Sequence, residues 1–170
     1  MNSSSHQKKR GSHAPAASTP LNVGTSVRGL IQLGPDSQHN FSVLGREYLE
    51  AAITLSINRP QDLHWPTFFL VCQALELYLK AFLRSRDVPV GDLRNPRVFG
   101  HDLQLGFNKA MQLGLHKALP IAGELGKCIA IISTPYKKRD FQYMHSWSGE
   151  LIFLPALILL VKQTGQRLEW

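Results

Sequence analysis

PTFFLVCQALELYLKAFLRSR, residues 66–86, is the longest uninterrupted helical pattern in the chain. Phe68, Cys72, Leu75, Leu79 and Phe82 recur at steps of three and four, so they fall on one stripe of a 3.6-residue helix. Val71, Leu77, Tyr78 and Leu83 widen the stripe and predict a helix buried on more than one side. Pro66 suits the first helical turn, where its missing N–H is not needed. At about 1.5 Å per residue such a helix is roughly 30 Å long, the height of a small domain. Glu76 and Lys80 interrupt this apolar cylinder, four residues apart and in the favourable order. As a solvated pair they would add only about 0.2–0.5 kcal/mol. Two roles are open for Glu76: a carboxylate facing a functional cleft, or one bonded within the bundle to Lys80, a neighbouring helix or water.

The same period extends outward. Upstream, residues 40–58 read as a helix capped by Ser37 or Asn40, with Phe41, Leu44, Tyr48, Ala52 and Leu55 inside and Pro60 stopping it. A loop carrying Trp65 leads into the long helix. Downstream, residues 87–100 hold two prolines and two glycines without a period and read as a loop. A third helix runs from His101 or Asp102 to Leu113 with Leu103, Phe107, Ala110 and Met111 inside, and Gly114 stops it. A fourth, residues 117–133, places Ile121, Leu125, Ile129 and Ile132 in register. Its Gly123 and Gly126 imply close approach of another helix, and Pro135 closes it. The last helix, residues 150–163, is expected to kink at Pro155. No strand pattern or internal repeat occurs. The expectation is an all-α, four- to five-helix up-and-down bundle over residues 38–170, preceded by a flexible basic tail, residues 1–37. Within that tail, residues 27–33 form a candidate docking segment.

Composition narrows the function classes. Among 170 residues the net charge is +7. Residues 1–37 hold four Lys/Arg against one Asp, and the remainder 15 against 11 acidic residues. A basic balance is compatible with polyanionic partners such as RNA or with simple solubility. Cys72 and Cys128 both lie on apolar stripes and read as buried thiols, which suits a reducing cytoplasm. No zinc-like Cys/His spacing and no di-iron Glu-x-x-His repeat occurs, so no metal or other cofactor is expected. The greasiest run, residues 151–161, is too short to span a membrane and contains Pro155.

Four features in order carry a family resemblance: ALELYLKAFL at 74–83, the loop after it, GHDL at 100–103 opening a helix, and a basic-aromatic segment before the last helix. Over residues 40–165 the chain resembles the HEPN family of small helical-bundle domains. The resemblance implies a bundle that pairs with a copy of itself. It also implies one of two functions. Many members are metal-independent ribonucleases, often of toxin or defence systems, whose cleft forms between two bundles from an Arg, a polar neighbour and a His separated from the Arg by four to six residues. Other members are non-catalytic modules that bind nucleotides, RNA or a protein partner.

Arg139, Asp140 and His145 fit the catalytic pattern at the family's position. A His there could move a proton at a ribose 2′-OH or leaving oxygen, and an Arg could hold the phosphate. The pairs Arg59/His64 and Arg94/His101 have comparable spacing, so spacing alone does not select Arg139 and His145. The competing structural role makes Lys137, Lys138 and Arg139 a solvated basic turn, with Tyr143, His145 and Trp147 against the bundle edge. His101 and Asp102 are candidate cleft residues or a helix start tying the long loop to the bundle. Glu76, Lys80, His101, Asp102, Lys137 and Lys138 are thus the candidate binding residues, and the non-catalytic module is the leading expectation.

Overall fold

Burying α2 (Trp65–Ser85) on nearly every side organises the molecule. The computed structural model describes residues 37–58, 65–143 and 152–168, all of which belong to the compact unit formed by residues 33–170. Among the described residues the chain is all-α, with no strand. The other elements are α1 (Gln38–Asn58), α3 (Val90–Arg94), α4 (Leu103–Gln112), α5 (Leu115–Ala118), α6 (Ala122–Lys137), α7 (Asp140–Tyr143) and α8 (Leu154–Leu168). With α2, five of the eight described helices have ten or more residues, and α3, α5 and α7 are single turns. α2 packs against α1, α4, α6, α7 and α8. Its whole predicted stripe is buried, including Phe68, Cys72, Leu75, Leu79 and Phe82. By length and composition α2 could cross a membrane, but 72% of its most apolar window is buried inside the protein, and its place in the core accounts for that apolarity.

Several boundaries and faces differ from expectation. α1 starts at Gln38, with the Ser37 hydroxyl accepting from the Asn40 amide. Its buried residues are Ser42, Gly45, Leu49 and Ala52, whereas Leu44 and Leu55 are exposed. Small residues face inward because α2 comes close: a Cβ on Gly45 would sit 3.0 Å from the Tyr78 ring and 3.2 Å from the Ala74 carbonyl oxygen. Trp65 begins α2 and stacks on Phe141, 5.9 Å between ring centroids. The loop after α2 contains α3, with Leu93 buried. Gly114 adopts φ 92° and starts α5, so α6 begins later than expected, with Ile121 as its half-buried N-cap residue.

Pro135 does not close α6. It lies in the last turn, where it forgoes one i→i−4 bond, and the helix runs on to Lys137. Gly126 fits the expected close approach, since its Cβ would lie 3.0 Å from the Phe107 ring, but Gly123 is exposed with open space around it. α8 begins at Leu154, which puts Pro155 in its first turn rather than at an interior kink. Cys72 is buried and Cys128 half-buried, both as free thiols. The tail, its candidate segment 27–33, Pro60, His145, Trp147 and the expected start of the last helix at Glu150 lie outside the described residues.

Candidate functional site

Glu76 sits on the inner side of α2, between buried Leu75 and Leu77, with 5% of its surface exposed. A carboxylate in that position must be paired. Lys80, one turn on, places Nζ 2.5 Å from Oε1. His101 brings Nδ1 to 2.9 Å of Oε2, and the Tyr136 hydroxyl donates to the same oxygen at 2.7 Å. The Gln73 side-chain amide lies 2.6 Å from Tyr136 Oη. A phenol has one hydrogen, which the carboxylate takes, so the pair is satisfied with the Gln73 amide turned NH₂-first toward Oη. Burial raises the affinity of Glu76 for a proton. The bonds from His101, Lys80 and Tyr136 outweigh that effect and hold its carboxyl below the usual range. Burial and the Glu76 charge push the Tyr136 phenol up, so it stays a donor.

His101 is positioned by the loop before α4. The Asn95 carbonyl accepts from the amides of Val98, Phe99 and Gly100, and its side chain accepts from the Arg97 amide at 2.9 Å. Gly100 takes φ +50°, and a Cβ there would meet the Pro96 carbonyl oxygen at 3.0 Å. Asp102 caps α4 by accepting from the Leu105 amide at 3.0 Å, while its other oxygen takes Lys137 Nζ at 2.7 Å. Partial burial raises the Asp102 carboxyl, but the Lys137 and amide bonds bring it lower overall. The ring of His101 packs edge-on to Tyr136, 5.8 Å between centroids. With Nδ1 on Glu76, Nε2 points away from the buried carboxylate, and the side chain is 50% exposed. The bond to Glu76 raises the His101 pKa; burial and the charges of Lys80 and Arg139 oppose this without cancelling it.

The end of α6 supplies the facing wall. Tyr136 continues the Leu125–Ile129–Ile132 stripe and is anchored to Glu76, while Phe141 of α7 is buried against Phe68 and Trp65. Between these anchors Arg139 holds φ 64°, a left-handed backbone that favours glycine. His101, Arg97, Lys137 and Arg139 line one groove of about 230 Å³ with Phe99 and Asp102 among its other walls. Among the described residues Asp102 is paired with Lys137, and no carboxylate is paired with Arg97 or Arg139.

The predicted site residues therefore separate. Glu76, Lys80 and His101 form one bonded cluster, and Asp102 ties Lys137 to the α4 start. Glu76 contacts His101 rather than Arg139. Lys138 is exposed and Asp140 half-buried at the start of α7, both outside the groove lining. His145 lies outside the described residues. Sequence reading missed Tyr136, Gln73 and Arg97. Tyr136 was within reach: carrying the α6 stripe past Pro135 puts it inside. No family model matches the chain, and no curated protein or solved structure matches it.

Proposed function

We propose that the chain is a HEPN-like helical bundle, cytoplasmic and paired with a second copy, that binds nucleotide or RNA phosphates without cutting them. The observation that carries this reading is the groove: three permanent cations and His101 converge on one concavity, and two guanidiniums there lack a carboxylate partner among the described residues. Guanidinium groups suit phosphate oxygens because their donors form a planar fork. Pairing is supported by apolar side chains left exposed on and beside two helices in contact, Leu44, Leu55 and Ile57 of α1 and Phe153 and Leu159 at α8.

Fluorescence anisotropy with a labelled single-stranded RNA tests the binding. The wild type is expected to bind with a salt slope set by its phosphate contacts, about 0.7 per contact. Arg97→Glu/Arg139→Glu should weaken binding at least tenfold and flatten that slope by about 1.4, two contacts' worth. Undiminished binding by this variant contradicts the assignment.

A second reading has Arg139, Asp140 and His145 as a metal-independent ribonuclease site, with Arg139 as phosphate clamp and His145 moving the proton. It is favoured by the placement of Arg139 in the groove at a strained backbone position. The same incubations, run in EDTA and resolved on a gel, decide it: equal or absent cleavage in wild type and His145→Ala removes this reading.

A further inference from the structure

We infer that the groove recognises a terminal phosphate monoester, the phosphorylated end of an RNA or a nucleotide, in preference to an internal phosphodiester; this rests on the phosphate-binding reading above. Charge is the first ground. An internal diester brings one negative charge, whereas a terminal monoester carries about −1.5 to −2 at pH 7 and presents three acceptor oxygens. Arg97 and Arg139 face the groove unneutralised among the described residues, and Lys137 is already balanced by Asp102. Two unmatched guanidiniums in about 230 Å³ complement a dianion and leave an excess over a monoanion.

His101 supplies a third donor of adjustable charge. Its Nδ1 is committed to Glu76, so the ring is fixed and Nε2 is the atom available to a ligand oxygen. The groups facing this imidazole are Glu76 and Lys80 from α2, Tyr136 from α6, and Arg139 beyond it. The carboxylate favours the imidazolium and the two cations oppose it. A bound dianion adds negative charge at Nε2 and completes the balance.

The backbone of Arg139 is the second ground. Residue 139 follows Lys138, the C-cap residue of α6, with φ 64°, where glycine is the unstrained choice. A non-glycine there is strained, and the side chain it carries lines the groove's cationic wall. Arg139→Gly therefore separates binding from folding: the backbone is relieved while the guanidinium is lost.

The test compares one single-stranded RNA hexamer in three forms, with a 5′-phosphate, with a 3′-phosphate and with both ends as hydroxyls, beside adenosine monophosphate and inorganic phosphate as competitors. At least one phosphorylated end is expected to bind tenfold or more tighter than the hydroxyl form. Arg139→Gly should abolish that advantage while melting no earlier than wild type. For the preferred oligomer the advantage should peak between the second phosphate ionisation, near pH 6, and the pH at which His101 loses its proton. His101→Gln should weaken binding on the acid side and remove the alkaline decline. Competition by adenosine monophosphate or inorganic phosphate alone, without an oligomer preference, still supports the monoester site and assigns it a small-molecule source. Equal binding of all three oligomers, with no competition by adenosine monophosphate or inorganic phosphate, overturns the inference and leaves the phosphate-binding reading standing. Absence of binding by every form overturns both.

Discussion

Glu76→Ala is expected to destabilise the protein by about 3–5 kcal/mol, because removing one member of a buried charged cluster leaves the others without a partner. Three groups converge on that carboxylate: the Lys80 ammonium, with 14% of its side chain exposed, His101 Nδ1 and the Tyr136 hydroxyl. The phenol is the least able to adapt, since Tyr136 is buried and the other hydrogen bond of its hydroxyl is with the Gln73 amide. Lys80 can extend toward solvent, so its share of the loss is smaller. Glu76→Gln keeps the shape and the acceptor oxygen and should cost less. Urea unfolding of the two variants beside wild type measures the difference; a loss below about 1 kcal/mol for Glu76→Ala contradicts the hub.

The pH dependence of stability has a definite sign. Glu76 has a folded pKa below its ordinary value of 4.5, so its contribution is present above pH 4.5 and is lost as the pH falls through the folded value. His101 has a folded pKa above 6.5, so its contribution is complete below pH 6.5 and is lost as the pH rises through the folded value. These two groups therefore favour maximum stability between about pH 4.5 and 6.5, with the alkaline decline the weaker because His101 is half exposed. In Glu76→Gln both limbs due to this pair should flatten.

Gly165→Val is the second large effect. Already a Cβ at Gly165 of α8 would fall 2.5 Å from Tyr78 Cζ and 2.6 Å from its hydroxyl oxygen. The ring has nowhere to retreat, because Gly45 of α1 closes its other side, with a would-be Cβ contact of 3.0 Å, and Tyr78 is 1% exposed. Two glycines thus let α1 and α8 clasp one tyrosine of α2. Overpacking of this kind typically costs 1–3 kcal/mol, and here two helices must separate, so about 3 kcal/mol or more is expected. Gly165→Ala should cost less, part of its clash being offset by the better helix propensity of alanine, about 1 kcal/mol. Adding Tyr78→Leu to Gly165→Ala should recover stability if the ring is the obstacle. Thermal melts of the single and double variants check this; additive losses contradict it.

These packing details mark what sequence alone could and could not convey. α2 was legible nearly to the residue because it is apolar all round, so no choice of face was needed. α1 is legible as a helix, with Ala52 buried and Phe41 and Tyr48 packed against the core as its spacing predicts. Leu44 and Leu55 are exposed, however, and Ser42, Gly45 and Leu49 take interior positions, Gly45 because the Tyr78 ring and the Ala74 carbonyl oxygen leave little room for a side chain. Pro135 reads as a stop in the sequence, which hides the continuation of the α6 stripe to Tyr136. In the site, the Glu76–Lys80 pair follows from helical spacing. The bonds from His101 and Tyr136 span 25 and 60 residues and depend on how the loop and α6 fold back on α2. Arg97 lies in a segment without a period, where only tertiary structure brings it beside Arg139.

The most direct measurement of the central claim is a nuclear magnetic resonance titration of isotope-labelled protein with a 5′-phosphorylated single-stranded RNA hexamer, followed at arginine Nε–H and histidine ring resonances. If the groove binds phosphate, Arg97, Arg139 and His101 shift together and saturably, while Arg46, exposed on α1 outside the groove lining, stays in place. Saturable shifts at Arg46 with the three groove residues unmoved would contradict the assignment.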